Sequence, residues 1–209
     1  MEGMEKAGPG SVHPLLEGAS RGELPAWSRA SEGRRDHMAR VAALLEGWGR
    51  ERGEGESEVV RWKAAGHLHD ALRDADPEEL RPLVDEPFRD LPGKALHGPA
   101  VAARLRAEGV GDEEFLHALA YHTLGSADFG RLGMALYAAD FLEPGRRLRE
   151  EWRKTLRHRV ASDLEGVVRE ILSARIGHLL DENRPLRKET VAFWNAMAEG
   201  RGWASASEV

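Results

Sequence analysis

Six residues have the side chains and the order along the chain needed to hold divalent metal: His37, the pair His69-Asp70, His97, His122 and Asp140. Imidazole suits iron, zinc and manganese, and a carboxylate can bridge two ions. A water shared by two such ions becomes a nucleophile at neutral pH because the metals lower its pKa. The chemistry expected of this set is attack of that hydroxide on a phosphate ester.

Positioning six polar groups around one point requires elements that turn them all inward. From Arg35 the apolar residues Met38, Val41, Leu45 and Trp48 recur at helical spacing, and His37 lies four before Val41 and eight before Leu45, on the same stripe. A second helix is expected from Glu58 to about Leu72, with His69 at offsets of seven, four and three from Trp62, Ala65 and Gly66. The small residues at 65 and 66 allow another helix to approach closely. Asp76-Pro77 starts a short helix over Glu78 to Val84, followed by a loop through Pro87 and Pro92. Three more helices are expected at about His97 to Glu108, Asp112 to His122 and Asp128 to Leu142, with Asp112 and Asp128 as N-caps. His97 leads the stripe Val101, Leu105; His122 closes Phe115, Ala118, Leu119; Asp140 follows Leu136 by four. Charged amphipathic helices over Arg146 to Arg159 and Asp163 to Leu180, and a last one from about Lys188 to Ala198, complete the chain.

Buried carboxylates and imidazoles without partners carry a large desolvation cost, and a metal centre answers it for all of them at once. The other histidines act as an internal control. His67 and His117 are rotated away from the stripes that carry His69 and His122, and His13, His158 and His178 are likewise left out of the set, although His67 is close enough to touch its surroundings.

The 209 residues suffice for one substantial core, and a hydrophobic share of 41% suits a soluble protein. Residues 1–31 read as a partly ordered arm lying across the core, 32–199 as the helical domain and 200–209 as a flexible tail. The formal charge of −6 argues against a long nucleic-acid partner, so a nucleotide would be held by metals and local arginines. Without cysteine, neither disulfides nor thiolate ligands are available. No apolar run approaches a membrane span and no signal-peptide pattern opens the chain, so a cytoplasmic protein without membrane contact is expected. Strand patterning is absent, and the fold class expected is all-α.

Several segments together carry a family pattern: RRDHMARVAALL around His37, AGHLHDALRD around His69-Asp70, HGPAVAARL from His97, AYHTLG around His122 and YAADFLEPGR around Asp140, with a weaker echo in RPLRKETVAFWNAM. Over about Arg34 to Met197 the chain resembles the HD-domain superfamily of metal-dependent phosphohydrolases, and within it the bacterial branch of symmetrical diadenosine tetraphosphatases. The resemblance implies an HD-domain helical bundle with a binuclear site in its core. Carried over position by position, His37, His69, Asp70, His97, His122 and Asp140 become the ligands, with Asp70 the bridge. Two divalent ions are implied, iron first, with manganese, zinc or magnesium as alternatives. The implied reaction is symmetrical cleavage of a dinucleoside polyphosphate into two nucleoside diphosphates.

The branch carries a lysine three residues after the HD aspartate, where this chain has Arg73. Arginine keeps the charge but replaces a point ammonium by a planar fork. Asp70 and Arg73 are the expected catalytic pair, and Arg73, Thr123, Gly125 and Arg146 the expected substrate contacts. A nucleotidase or phosphodiesterase acting on another small nucleotide is the alternative reading, followed by an HD-fold diiron oxygenase. The charged C-terminal helices offer a lid or a homodimer surface.

Overall fold

The computed structural model describes residues 12–200, and among these it is built from helices without any strand. In chain order they are α1 (Pro14–Ser20), α2 (Glu32–Glu51), α3 (Glu56–Leu68), α4 (Pro77–Leu80), α5 (Glu86–Arg89), α6 (His97–Ala107), α7 (Glu113–Tyr121), α8 (Arg131–Leu142), α9 (Glu150–Arg159), α10 (Leu164–Asp181) and α11 (Lys188–Ala198). Short 3₁₀ turns over Arg81–Leu83 and Gly93–Ala95 punctuate the proline-rich connection. The first eleven residues of the expected arm and all but Gly200 of the expected tail lie outside the described residues. No helix among the described residues is long and apolar enough to cross a membrane.

Helix α8 is apolar nearly all round, with Leu132 through Ala139 buried without interruption, and a helix of that kind belongs at the centre of a core. It packs against α2, α3, α7, α9 and α10. The amphipathic helices turn their stripes toward it: Met38, Val41, Leu45 and Trp48 of α2, Val59, Trp62 and Ala65 of α3, Phe115, Ala118 and Leu119 of α7. Helices α2 and α3 lie close along much of their length, and the small residues near the end of α3 make this close approach feasible. A Cβ placed on Gly66 would fall 2.4 Å from the Ala42 Cα, which is backbone and has nowhere to move. Replacing Gly66 with Ala is therefore expected to cost about 2 kcal/mol, the ordinary range for overpacking a core. At this chain length a thermal melt should then show Tm lowered by roughly 4–8 °C; an unchanged melt would mean that the two helices separate freely.

Several boundaries differ from the sequence expectation. α3 ends at Leu68 instead of continuing to Leu72, with His69 as its C-cap. The chain then closes into a turn in which Ala71 N–H donates to the Leu68 carbonyl and Arg73 N–H to that of Asp70. α8 starts at Arg131 with Gly130 as N-cap, so Asp128 does not cap it; the Asp128 amide donates to Ser126 Oγ instead. Asp112 does cap α7, accepting from the Phe115 amide at 3.0 Å. α9 starts at Glu150 because Arg149 adopts a left-handed conformation, φ 55°, that breaks any continuous helix from Arg146.

The described part of the N-terminal arm is tied down more firmly than its composition suggests. Leu16 and Ala19 of α1 are buried, and α1 packs on α3. Downstream, Arg29 exchanges backbone hydrogen bonds with the turn that follows His69-Asp70: its N–H reaches the Ala71 carbonyl at 2.7 Å and its carbonyl accepts from Asp74 N–H at 3.1 Å. The Asp74 carboxylate also accepts from the Ser31 amide and hydroxyl. This segment braces the turn that carries the HD pair.

Candidate metal centre

All six residues singled out for metal meet in one place. His69, Asp70, His97 and His122 are at most 4% exposed, and His37 only slightly more. They form two triads that share one carboxylate: His37, His69 and Asp70, and Asp70, His97 and His122. Asp70 Oδ2 faces the first, 3.7 Å from His37 Nε2 and 3.5 Å from His69 Nε2. Asp70 Oδ1 faces the second, 2.9 Å from His97 Nε2 and 3.6 Å from His122 Nε2. Asp140 joins the first triad through Oδ1, 3.2 Å from His37 Nε2.

One local device orients three of the imidazoles. His69 Nδ1–H donates to the Gly66 carbonyl at 2.9 Å, His97 Nδ1–H to Lys94 at 3.0 Å and His122 Nδ1–H to Leu119 at 2.8 Å. Each acceptor lies three residues back, and for His69 and His122 it is one of the carbonyls that the end of a helix leaves without an intrahelical partner. A carbonyl can only accept, so Nδ1 must carry the proton and Nε2 is left as the donor atom for a metal. For His37 the corresponding partner is Glu143, whose Oε1 lies 3.3 Å from Nδ1.

These tautomers fit a metal centre for a simple reason. With Nδ1 protonated, the Nε2 lone pairs of His97 and His122 converge at 3.1 Å, and those of His37 and His69 at 3.3 Å. Lone pairs that close repel unless positive charge lies between them. Separations of this size are also those between donor atoms sharing one ion at about 2.1 Å.

For His69, His97 and the two carboxylates the electrostatics agree. Burial pulls His69 down to about 4, so at neutral pH it presents a lone pair. Burial also lowers His97, with the charge of His122 and then of Arg73 adding to it. His122 goes the other way: burial lowers it, but its hydrogen bond to Asp70 more than compensates. Burial pushes the Asp70 carboxyl up, yet the imidazoles around it, His69 foremost, hold it well below the usual carboxylate range. Asp140 is held down in the same way by His37 and Arg146 against its own burial.

The expected substrate contacts have different fates. Arg73 is half-buried near His97, and its guanidinium makes no hydrogen bond to another described residue. Thr123 Oγ1 sits 3.2 Å from His122 Nε2, at the edge of the second triad. Arg146 is bound back to Asp140, through the backbone carbonyl at 2.8 Å and the carboxylate at 2.7 Å, so it braces a candidate ligand. Gly125 is corrected: its amide donates to the Tyr121 carbonyl, φ is 82°, and the Phe193 ring fills the space where a Cβ would be. It is a turn and packing residue without a free amide to offer.

Two charged residues at the cluster escaped the sequence reading. Glu143 is buried, accepts from Arg40 at 2.6 Å and from the Gly145 amide at 2.8 Å, and orients His37. Arg34 donates to Asp70 Oδ2 at 2.7 Å. The available signal was spacing, since Glu143 lies three after Asp140 and Arg34 three before His37. The excluded histidines stay out: His13 caps α1, and His117 bonds Ser126 Oγ at 2.9 Å and packs on Tyr121. His67 faces Gly22 and joins neither triad.

Comparison with known proteins agrees with this architecture. Residues 34–156 match the family model described as HD domain. The chain is 30% identical over 139 residues to the protein named symmetrical bis(5'-nucleosyl)-tetraphosphatase of Halalkalibacterium halodurans, an alignment covering 64% of this chain and 73% of the relative. It is 27% identical over 146 residues to the protein of that name in Bacillus subtilis, covering 65% and 75%. A solved structure from Clostridium acetobutylicum, described as a predicted HD superfamily hydrolase involved in NAD metabolism, superposes with a TM-score of 0.70 at 22% identity, covering 88% of this chain and 96% of the other.

Proposed function

The chain belongs to the HD domain family of hydrolases, and from that premise we propose that it is a metal-dependent phosphohydrolase that cleaves dinucleoside polyphosphates, diadenosine tetraphosphate giving two ADP. The observation that carries this reading is the pair of triads sharing Asp70. The names of the relatives in H. halodurans and B. subtilis support the substrate class.

In this proposal His37, His69, Asp70 and Asp140 hold one ion, and Asp70, His97 and His122 the other. Two divalent ions there, iron first and manganese, zinc or magnesium as alternatives, supply an acidified water and positive charge for the phosphate oxygens. The protein's own work is positioning. Backbone carbonyls lock three imidazoles in the donor tautomer, Glu143 orients the fourth, and Arg146 restrains Asp140. Arg73, whose guanidinium makes no hydrogen bond to another described residue, contacts a non-bridging oxygen and offsets charge that grows as the phosphoryl group transfers. Thr123 offers a hydroxyl at the edge of the cluster. Almost complete burial of the four imidazoles, Asp70 and Glu143 lowers the local dielectric and strengthens the interactions among them.

The test is product analysis with metal-loaded protein and diadenosine tetraphosphate. ADP as the sole nucleotide product is expected. AMP with ATP would contradict symmetrical cleavage, and an absence of turnover by protein holding two equivalents of metal would overturn the substrate.

A further inference from the structure

Six basic side chains fall between residues 146 and 157, with Glu150 and Glu151 the only acids among them, in the turn after α8 and the first part of α9. In a chain of formal net charge −6 this is a local reversal of sign. Screening confines such a field to a Debye length of about 8 Å, so a partner touching this face meets the basic ridge and not the charge of the whole chain. The cations are clustered in space as well as in sequence. Burial pushes the Arg153 guanidinium down, and the charges of Arg146, Arg149 and Arg157 add to it, with Glu143 opposing them.

Half of these cations have structural work and the others have none. Arg153 donates to the Phe141 and Leu148 carbonyls, Arg157 to that of Leu142 at 2.7 Å, and Arg146 is tied to Asp140. Arg147, Arg149 and Lys154 are exposed and make no hydrogen bond or ion pair with another described residue. Arg149 also holds a left-handed backbone, φ 55°, which residues other than glycine seldom adopt and which is found disproportionately at functional sites. Beside it Leu148 is 77% exposed. The Arg149 guanidinium lies 4.2 Å from the Trp152 ring centre and that of Arg153 4.0 Å from the Phe141 ring centre, and the two rings meet edge to face at 5.9 Å. Both rings are half-buried, so this stack of guanidinium and aromatic planes keeps an outer face.

We propose that this ridge is a docking surface for a single strand of nucleic acid. Arg147, Arg149 and Lys154 contact phosphates of the strand, and Trp152 with Leu148 offers the planar and apolar surface on which unpaired bases rest. An anionic membrane fits less well. Leu148 is the one large apolar side chain of the stretch that is exposed, too little to insert, and the exposed carboxylates of Glu150 and Glu151 adjoin it. The ridge starts at Arg146, whose guanidinium holds Asp140, so a strand lying on it reaches the rim of the metal cluster and brings its terminal phosphates toward the triads. This last consequence rests on the function proposed above, whereas docking itself does not.

The experiment follows the fluorescence anisotropy of a labelled, unstructured RNA of about 12 nucleotides, within the span of a single-strand site, titrated with the metal-loaded full chain. Wild type should bind with Kd of about 10⁻⁴ to 10⁻⁶ M, weakening steeply as salt is raised. Arg147→Ala/Arg149→Ala should raise Kd about 10-fold and lower the slope of log affinity against log salt by about 1.4, the value for two lost phosphate contacts on a single strand. Lys154→Glu, at an exposed position on α9, leaves the Arg149 turn intact and should weaken binding in the same direction. Thermal melts and metal content verify each preparation. No binding by wild type, or an unchanged Kd and salt slope in both folded variants, would overturn the proposal. Binding to phosphatidylserine vesicles that the variants lose, with none to RNA, would overturn it in favour of a membrane surface. The two readings separate cleanly. If wild type binds RNA through these residues but leaves diadenosine tetraphosphate intact, the ridge stands and the proposed substrate falls. If it hydrolyses that substrate without binding RNA, the ridge falls and the substrate stands.

Discussion

Replacing Asp70 with Asn should give a folded protein with less than one equivalent of bound metal and phosphohydrolase activity reduced roughly 10³-fold or more, the scale of the loss when a metal-activated nucleophile disappears. Asp70 is the only residue common to both triads, with one oxygen on each side. Asparagine keeps the shape and removes the charge, so neither side retains an anionic bridge. Its amide nitrogen would also face imidazole Nε2 atoms or the Arg34 guanidinium, which now donates to Asp70 Oδ2. Elemental analysis alongside a nucleotide assay measures both effects. As a comparison, His178→Ala, at an exposed position on α10, should leave metal content at the wild-type value. Retention of two equivalents by Asp70→Asn would show that the shared carboxylate is not the bridge.

Removing the metal from the wild-type protein should lower Tm by about 8–16 °C, from roughly 4 kcal/mol of binding free energy at a thousandfold excess over Kd and about 2–4 °C per kcal/mol at this length. The physical origin is the crowd of polar groups left behind. Two carboxylates, Asp70 and Asp140, and four imidazoles would remain within one buried cluster, with the Nε2 atoms of His97 and His122 still 3.1 Å apart. Protons would have to replace the ions, which runs against the burial that holds His69 and His97 below their ordinary values. Melts after exhaustive chelation, and again after adding back each divalent ion, measure the shift and rank the metals. An unchanged Tm in protein verified to be metal-free would mean that the cluster is stable by itself.

Much of this cluster was legible because its candidate ligands obey helical spacing. His37 shares the stripe of Val41 and Leu45, and Asp140 follows Leu136 on a helix too apolar to face water, so their inward placement follows from periodicity. The small residues at 65 and 66 announced a close helix approach, and the structure shows that the helix is α2. Less visible were features created by chain termini and tertiary contact. His69 and His122 stand just past the ends of their helices because the imidazoles bond the Gly66 and Leu119 carbonyls, a competition between side chain and backbone that a periodic pattern does not encode. Glu143 and Arg34 resemble solvated charges near helix ends until the fold places His37 Nδ1 and Asp70 Oδ2 against them. α1 is seven residues long, too short to be stable by propensity, and it exists because Leu16 and Ala19 are buried in the core. Arg146 shows the opposite difficulty: its place after Glu143-Pro144-Gly145 invited a phosphate-contact role, while the structure turns it back onto Asp140.

The central claim is that two divalent ions lie on either side of Asp70. A crystal of metal-loaded protein, with anomalous diffraction recorded at the absorption edge of the bound metal, tests it most directly. Two peaks are predicted, one within ligand distance of His37, His69 and Asp70 Oδ2, the other of His97, His122 and Asp70 Oδ1. A single peak, or metal bound away from Asp70, would contradict the account.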